Sequence, residues 1–520
     1  MVRTHRLIWA LILCVALAPL ATHYTALRAT AQGSSGILDS SLRQVFATSA
    51  DGTITFIVRL QEQADLSDIP ATPVVARRTA TVDRLQQHAA RTQAPVIELV
   101  RSLQRQGAVT AYTPYWIFSG MAVHGNLAAA QELARHPSVA SVRANQVVVL
   151  DPSPAESAQP ATTTVPWGLE KIRAPQVWSG YGVRGEGVVV ANIDTGVDWT
   201  HPALYENYRG YDPVAPQHDY HWIDLTPTDA PAQAPNDFHG HGTHTMGTIV
   251  GADPEAGIIV GVAPAAQWVA VKAFYWNGKG WVSDEATLHS ALQWCLAPTD
   301  RNGENPDPSL APDIINNSWG DADGTSDAYL DDVRALNAAG ILAVYSAGND
   351  GPGAASVGAP ASYPEALAVG ATTSSDDIAS FSSRGPSPFD GSLKPDVSAP
   401  GNAVYSALPG NRYGYLNGTS MAAPHVAGLA ALLWSADRSY HAGLLSGALH
   451  GVPERNPTLT VTSTKQLISA TSVDIGQPGA DNSFGAGRID AYAALQALLG
   501  PIALQPRIYL PLVTQSNLPY

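Results

Sequence analysis

The run Val188-Val189-Val190-Ala191-Asn192-Ile193-Asp194-Thr195-Gly196 decides the architecture. It is nearly continuous, apolar and of strand length, and it closes on an aspartate before a turn glycine. That is how a strand buried on both faces reads. Comparable runs recur at residues 268–274, 314–318, 341–346 and 366–371. Helical patterns occupy residues 243–250, 283–295, 328–339 and 420–434. Apolar strands separated by helices predict an α/β fold, a mostly parallel sheet with helices on both faces. In such sheets active sites form beyond the carboxyl ends of the strands, which is where Asp194 falls. A turn aspartate ahead of glycine is the plainer reading of that residue alone.

Two further segments carry chemistry: His239-Gly240-His241-Gly242-Thr243-His244 and Gly418-Thr419-Ser420-Met421-Ala422-Ala423-Pro424-His425. A serine hydroxyl is a poor nucleophile without a base, and the base needs an orienting carboxylate. Taken singly, each segment has another reading. His239, His241 and His244 are spaced as zinc ligands sometimes are, and a serine at a helix start is usually an N-cap.

Together, in the chain order Asp, His, Ser, the three segments resemble the subtilisin-like serine proteases. The resemblance runs from about Trp167 to Ala494 and takes in Gly261-Val262-Ala263-Pro264, Pro312-Asp313-Ile314-Ile315-Asn316-Asn317-Ser318-Trp319-Gly320 and Ser398-Ala399-Pro400-Gly401. It implies Ser420 as nucleophile, His241 as general base, Asp194 as its orienting carboxylate and His244 as a packed neighbour. Asn349, within Ser346-Ala347-Gly348-Asn349-Asp350-Gly351, would be the oxyanion donor. Ser318, Trp319 and Gly320 would form the wall along which substrate backbone lies. Ala347, Gly348 and Gly358 would line the specificity pocket, with Asp350 at its rim, and Ala359-Pro360 would be cis. The family's calcium ligand after His-Pro is replaced here by Ala203, and the loop at 252–257 differs from the calcium-binding version. No cofactor is therefore required and a tight calcium site is in doubt. Asp321, Asp323 and the Asp376-Asp377 pair offer hard oxygens, which read first as surface carboxylates.

Composition narrows the partners. The 520 residues are 45% hydrophobic and 14% charged, which suits packed globular domains, more than one by length. A formal charge of −15 argues against a nucleic-acid partner. Arg3, His5 and Arg6 precede an apolar stretch from Leu7 to Leu20, and small residues follow, as in a secretory signal over residues 1–31. The stretch is short for a membrane span, and no later stretch is apolar enough for one. Signal removal takes Cys14 with it and leaves Cys295 alone, so an exported chain would have no disulfide.

Residues 40–150 read as a separate small α+β domain: strands at 52–60, 115–123 and 139–150, helices at 76–106 and 127–135, in a β-α-β-β-α-β-like order. Phe118-Ser119-Gly120 and residues 133–142 resemble the propeptide domain of the same family, which acts as folding aid and intramolecular inhibitor. A Pro/Ser/Thr/Ala linker spans 151–165 and suits cleavage; a peptidase domain would span 166–496 and a C-terminal tail 497–520. The expected protein is a secreted serine endopeptidase acting on protein or peptide substrates, made as a self-inhibited precursor and free of the membrane once its signal is gone. An inactive binding homologue and a zinc hydrolase are the rival classes.

Overall fold

The computed structural model describes residues 37–40, 42–70, 73–150, 165–228, 230–444 and 459–500. The signal segment, nearly all of the linker and most of the C-terminal tail lie outside the described residues.

The N-terminal unit runs β1 (Thr53–Leu60), α1 (Val74–Arg105), β2 (Val109–Tyr115), β3 (Gly120–Asn126), α2 (Leu127–Ala134) and β4 (Val139–Ala144). A two-residue strand, Ile37–Leu38, completes a sheet ordered Ile37–Leu38, β4, β1, β3, β2. Phe56, Val58, Val96, Val100, Met121, Val123, Leu133 and Val142 close its core. The expected strand at 115–123 is in fact two strands and a turn. Tyr115 ends β2, Gly120 begins β3, and the chain reverses between them. Trp116, Ile117 and Phe118 are apolar for another reason. Two of them, Ile117 and Phe118, are buried against the second unit. The expected strand at 139–150 also divides. β4 ends at Ala144, and β5 (Val147–Val149) leaves this sheet to pair elsewhere.

The second unit contains β6 (Val189–Asp194), β7 (Trp222–Asp224), α3 (His241–Val250), β8 (Gln267–Lys272), β9 (Trp281–Asp284), α4 (Glu285–Leu296), β10 (Ile314–Asn317), α5 (Leu330–Ala339), β11 (Leu342–Ser346), β12 (Leu367–Thr372), β13 (Val397–Pro400) and α6 (Thr419–His441). Seven of its strands form one sheet, ordered β13-β12-β11-β10-β6-β8-β7, and every pairing is parallel. Val190, Ile314, Val344 and Val369 face α3 and α6. Ala191, Ile193, Val271, Ile315 and Ala343 face α4 and α5. Each fully buried valine or isoleucine here contributes about 1.5–3 kcal/mol, which is why the strands read as unbroken apolar runs. Helix α6 is buried from Thr419 through Asp437 and is apolar nearly all round, as a central helix must be. Helix α4 starts at Glu285 rather than at the expected 283, because Asp284 caps it by accepting from the Thr287 N–H at 2.9 Å.

The N-terminal unit docks on α4 and α5 through arginines that meet carboxylates. Arg59 pairs with Asp331, and Arg143 pairs with Glu285 and Asp327. Arg78, 5% exposed, donates to Asp313 at 2.8 Å. Asp313 also accepts from Arg438 near the end of α6 at 2.7 Å and from the Val189 N–H at the start of β6 at 3.0 Å. Gln293 of α4 accepts the N–H groups of Trp116 and Ile117 at 2.8 and 3.1 Å.

Under this contact lies His289, fully buried, with Nδ1 2.9 Å from Asp332 and Nε2 3.3 Å from Glu285. Its ring centroid is 4.3 Å from that of Phe118. Burial alone would lower its pKa, but Asp332 and Glu285 outweigh burial and hold it at about 9. A folded-state value raised above the free value of about 6.5 gives stability that is complete below about 6.5 and is lost as pH climbs through the raised value. Calorimetry between pH 7 and 10 should show the unfolding temperature falling, and His289→Gln should lower it at pH 7 while flattening that fall.

Candidate active site

Asp194 is the last residue of β6, at the carboxyl edge of the sheet, and its side chain is 1% exposed. His241 opens α3 from the neighbouring loop and presents Nδ1 to both Asp194 oxygens, at 2.8 and 3.0 Å. With Nδ1–H held by the carboxylate, Nε2 is the nitrogen left to take up a proton. Close approach of the two elements demands a glycine at 242. A Cβ there would run into the Gly196 carbonyl oxygen and lie 3.1 Å from the Asp194 Cβ.

Asp237 organises this corner and was not singled out from the sequence. Its Oδ1 accepts the N–H groups of His239 and Gly240 at 2.9 and 2.8 Å and the Thr195 hydroxyl at 2.9 Å. Its Oδ2 accepts the Thr243 N–H at 2.9 Å and hydroxyl at 2.7 Å. The carboxylate thus ties the loop before α3 to one of the helix's orphan donors, the Thr243 N–H. Burial pushes its pKa up, and the bonds from Gly240 and Thr243 oppose the rise. The only sequence signal was an aspartate four residues before the helix.

The neighbouring histidines are held elsewhere. His244 Nε2 donates to the carbonyls of Val404 and Gly414 at 3.0 and 3.2 Å, and burial lowers its pKa to about 3. His239 Nδ1 accepts the His241 N–H at 3.3 Å, its ring lies 4.9 Å from that of Trp281, and burial lowers its pKa to about 4. Both rings are neutral at ordinary pH. Among the described residues, no three His, Cys, Asp or Glu side chains gather to hold a metal ion. Of the other hard-oxygen candidates, Asp376 is ion-paired with Lys171 and Arg488 at 2.8 and 2.9 Å, and Asp377 is exposed. Asp321 and Asp323 accept backbone N–H groups two residues on, at 3.0 and 2.9 Å, as loop aspartates do.

Ser420 lies in the first turn of α6, behind Gly418 at φ +149°. It is 6% exposed, and its Oγ donates to the Ser318 carbonyl at 3.1 Å. The Ser318 hydroxyl returns a bond to the Ser420 carbonyl at 2.8 Å. Asn349 is oriented by its Oδ1, which accepts the Thr419 N–H and hydroxyl, both at 2.9 Å. Asn349 lines the cleft together with Ser420.

The cleft has a volume of about 190 Å³ and brings Ser318, Trp319, Gly320, Ala347, Gly348, Asn349, Asp350, Gly358 and Ser420 together. Its floor is tight. A Cβ on Gly358 would strike the Asp321 carbonyl oxygen, and Gly348 sits at φ +105°. The Ala359–Pro360 peptide is cis.

The opposite wall was missed from the sequence. β5 of the N-terminal unit and Leu150 after it line the cleft, and β5 pairs antiparallel with β9: Val147↔Asp284, Val148↔Ser283, Val149↔Val282. The Leu150 N–H continues the ladder to the Trp281 carbonyl at 2.9 Å. Val148 and Leu150, 2% and 5% exposed, turn inward, while Val147 and Val149 face solvent. The chain's own segment therefore lines the cleft as a strand added to β9.

A family model described as the subtilase family matches residues 185–487. Bacillopeptidase F of Bacillus subtilis (strain 168) is 39% identical over 440 residues, 81% of this chain and 29% of that protein. The chain thus spans under a third of that relative's length. Subtilisin E of the same strain is 34% identical over 372 residues, 71% of this chain and 78% of that protein. Subtilisin Savinase of Lederbergia lenta is 34% identical over 331 residues, 64% of this chain and 98% of that protein.

Gly242→Ala should force α3 away from β6. We expect turnover to fall by about 10²-fold, the cost of roughly 1 Å of misplacement, while circular dichroism stays that of the parent.

Proposed function

The chain belongs to the subtilase family of serine peptidases, and from that premise we propose that it hydrolyses peptide bonds with Asp194, His241 and Ser420. The observation that carries this reading is the buried Asp194–His241 pair, at 2.8 Å, at the carboxyl end of β6, next to the end of β10 where Ser318 is hydrogen-bonded to Ser420. Ser420 Oγ attacks the scissile carbonyl carbon as His241 takes its proton at Nε2. Asp194 keeps the imidazole in the required tautomer and stabilises the imidazolium. The Asn349 amide and the Ser420 N–H bind the oxyanion, and the partial positive charge of the α6 N-terminus supports them. The tetrahedral intermediate collapses, His241 protonates the departing amine, and water then hydrolyses the acyl-enzyme by the same steps in reverse roles.

The precursor is self-inhibited: Val147–Val149, paired with β9, holds the place a substrate strand would take. Cutting in the 151–165 linker releases that segment. Secretion through the N-terminal signal agrees with this economy, because a peptidase folded behind its own inhibitor does no harm before export. Among the described residues, no helix is long and apolar enough to cross a membrane.

Ser420→Ala should leave the precursor uncut on a gel and abolish labelling by a fluorophosphonate. Labelling of the variant at parent levels would refute Ser420 as nucleophile, and normal processing would assign maturation to another protease. Asn349→Leu should lower turnover of a peptide substrate by about 10²–10³ with little change in KM.

A further inference from the structure

Asn192 and Asn316 stand where a parallel sheet ordinarily buries hydrocarbon. Both are 0% exposed, and they are directly opposed in the β6–β10 register. Asn192 Nδ2 donates to the Gly242 carbonyl at 3.2 Å, one residue past His241, and to the Thr245 hydroxyl at 2.9 Å. The Thr245 hydroxyl lies 3.1 Å from that same carbonyl and 3.5 Å from Asp194 Oδ2. On the other side, Asn192 Oδ1 accepts from Asn316 Nδ2 at 2.9 Å. Asn316 Nδ2 also donates to Ser318 Oγ at 3.0 Å, and Ser318 Oγ donates to the Ser420 carbonyl at 2.8 Å.

We propose that Asn192 and Asn316 are a positioning pair, a buried amide tether that fixes the spacing between the Ser420 turn and the Asp194–His241 pair. The proposal rests on the peptidase reading above. Every amide hydrogen of the two residues is used, and the uses divide between the two halves of the site. Neither amide touches substrate or the reacting atoms; each acts through what it holds. Stability does not explain the pair. Two valines would fill the space without desolvating amides, and the present arrangement leaves Asn316 Oδ1 buried without a partner. What the amides supply and valines lack is direction. A hydrogen bond sets distance and angle across the β6–β10 seam, and the site needs that precision because small displacements of reacting groups cost large factors in rate.

The test separates holding from positioning. Replacing one amide orphans its partner, whereas replacing both with apolar groups of similar shape can be nearly neutral for stability. Asn192→Leu should therefore lower both the unfolding temperature and turnover. The double variant Asn192→Leu/Asn316→Leu should recover most of the unfolding temperature and none of the turnover. Parent and variant chains are processed with immobilised parent enzyme, and the rates are counted per fluorophosphonate-titrated site. We expect kcat on a peptide amide to be at least about 10-fold lower in the double variant, with KM within about twofold. A smaller fall in kcat, or a fall matched by a rise in KM, overturns the proposal. If the double variant does not unfold cooperatively, Thr245→Val decides. It keeps the shape and deletes the hydroxyl that Asn192 holds; kcat reduced about fivefold or more at unchanged KM supports the tether, and a smaller change refutes it. A parent chain that neither labels nor turns over substrate would sink the peptidase reading instead, which is a distinct result.

Discussion

The parallel pairing of β6 with β10 is the constraint from which the site follows. In that register Val190 is opposite Ile314 and Asn192 opposite Asn316. Side chains alternate along a strand, so residues two apart share a face. On the face toward α3 and α6, β6 therefore presents Val190, Asn192 and then Asp194, while β10 and the residue after it present Ile314, Asn316 and then Ser318. The seam changes from hydrocarbon to amide to the Asp194 carboxylate and the Ser318 hydroxyl as it nears the carboxyl edge. A slip of one residue would turn Asp194 away from His241 and put Ile193 in its place.

Much of this was legible because it is local. The apolar runs, the glycine-flanked Asp, His and Ser motifs and the helix starts each depend on a few adjacent residues. What was not legible depends on partners far away in sequence. Trp116-Ile117-Phe118 reads as strand because it is apolar, yet its apolarity serves the contact with α4, where Gln293 takes two of its N–H groups. Val147–Val149 reads as a continuation of β4, since nothing nearby tells that its hydrogen-bonding partner is β9. Asn192 passes unremarked inside the apolar run 188–196. Only the register reveals that it meets a second buried amide, Asn316, across the seam. Asp237 resembled any loop carboxylate until its contacts with both ends of the His239-to-Thr243 segment were visible.

The two units also differ in how they meet. Within the second unit, contact is mainly hydrocarbon on hydrocarbon. Between the units, arginines of the N-terminal unit seek carboxylates and carbonyls on α4, α5 and the start of β10, around an apolar centre that includes Tyr115, Ile117 and Phe118. Aligned charges choose one docking pose out of many, whereas apolar area alone would be more tolerant. The strand laid in the cleft is then the end of a longer alignment, anchored well away from the chemistry.

Asp313 shows how such an anchorage can be undone without damage. It is shared by Arg78 from one unit and Arg438 from the other, and the Val189 N–H supplies a further bond. Were the N-terminal unit to depart, the carboxylate would keep a bidentate guanidinium of its own unit, so no naked charge would be stranded at the root of the sheet. The junction behaves as a handover rather than a rupture: the visiting arginine withdraws, the resident one stays, and the scaffold below the reaction centre is left electrically whole.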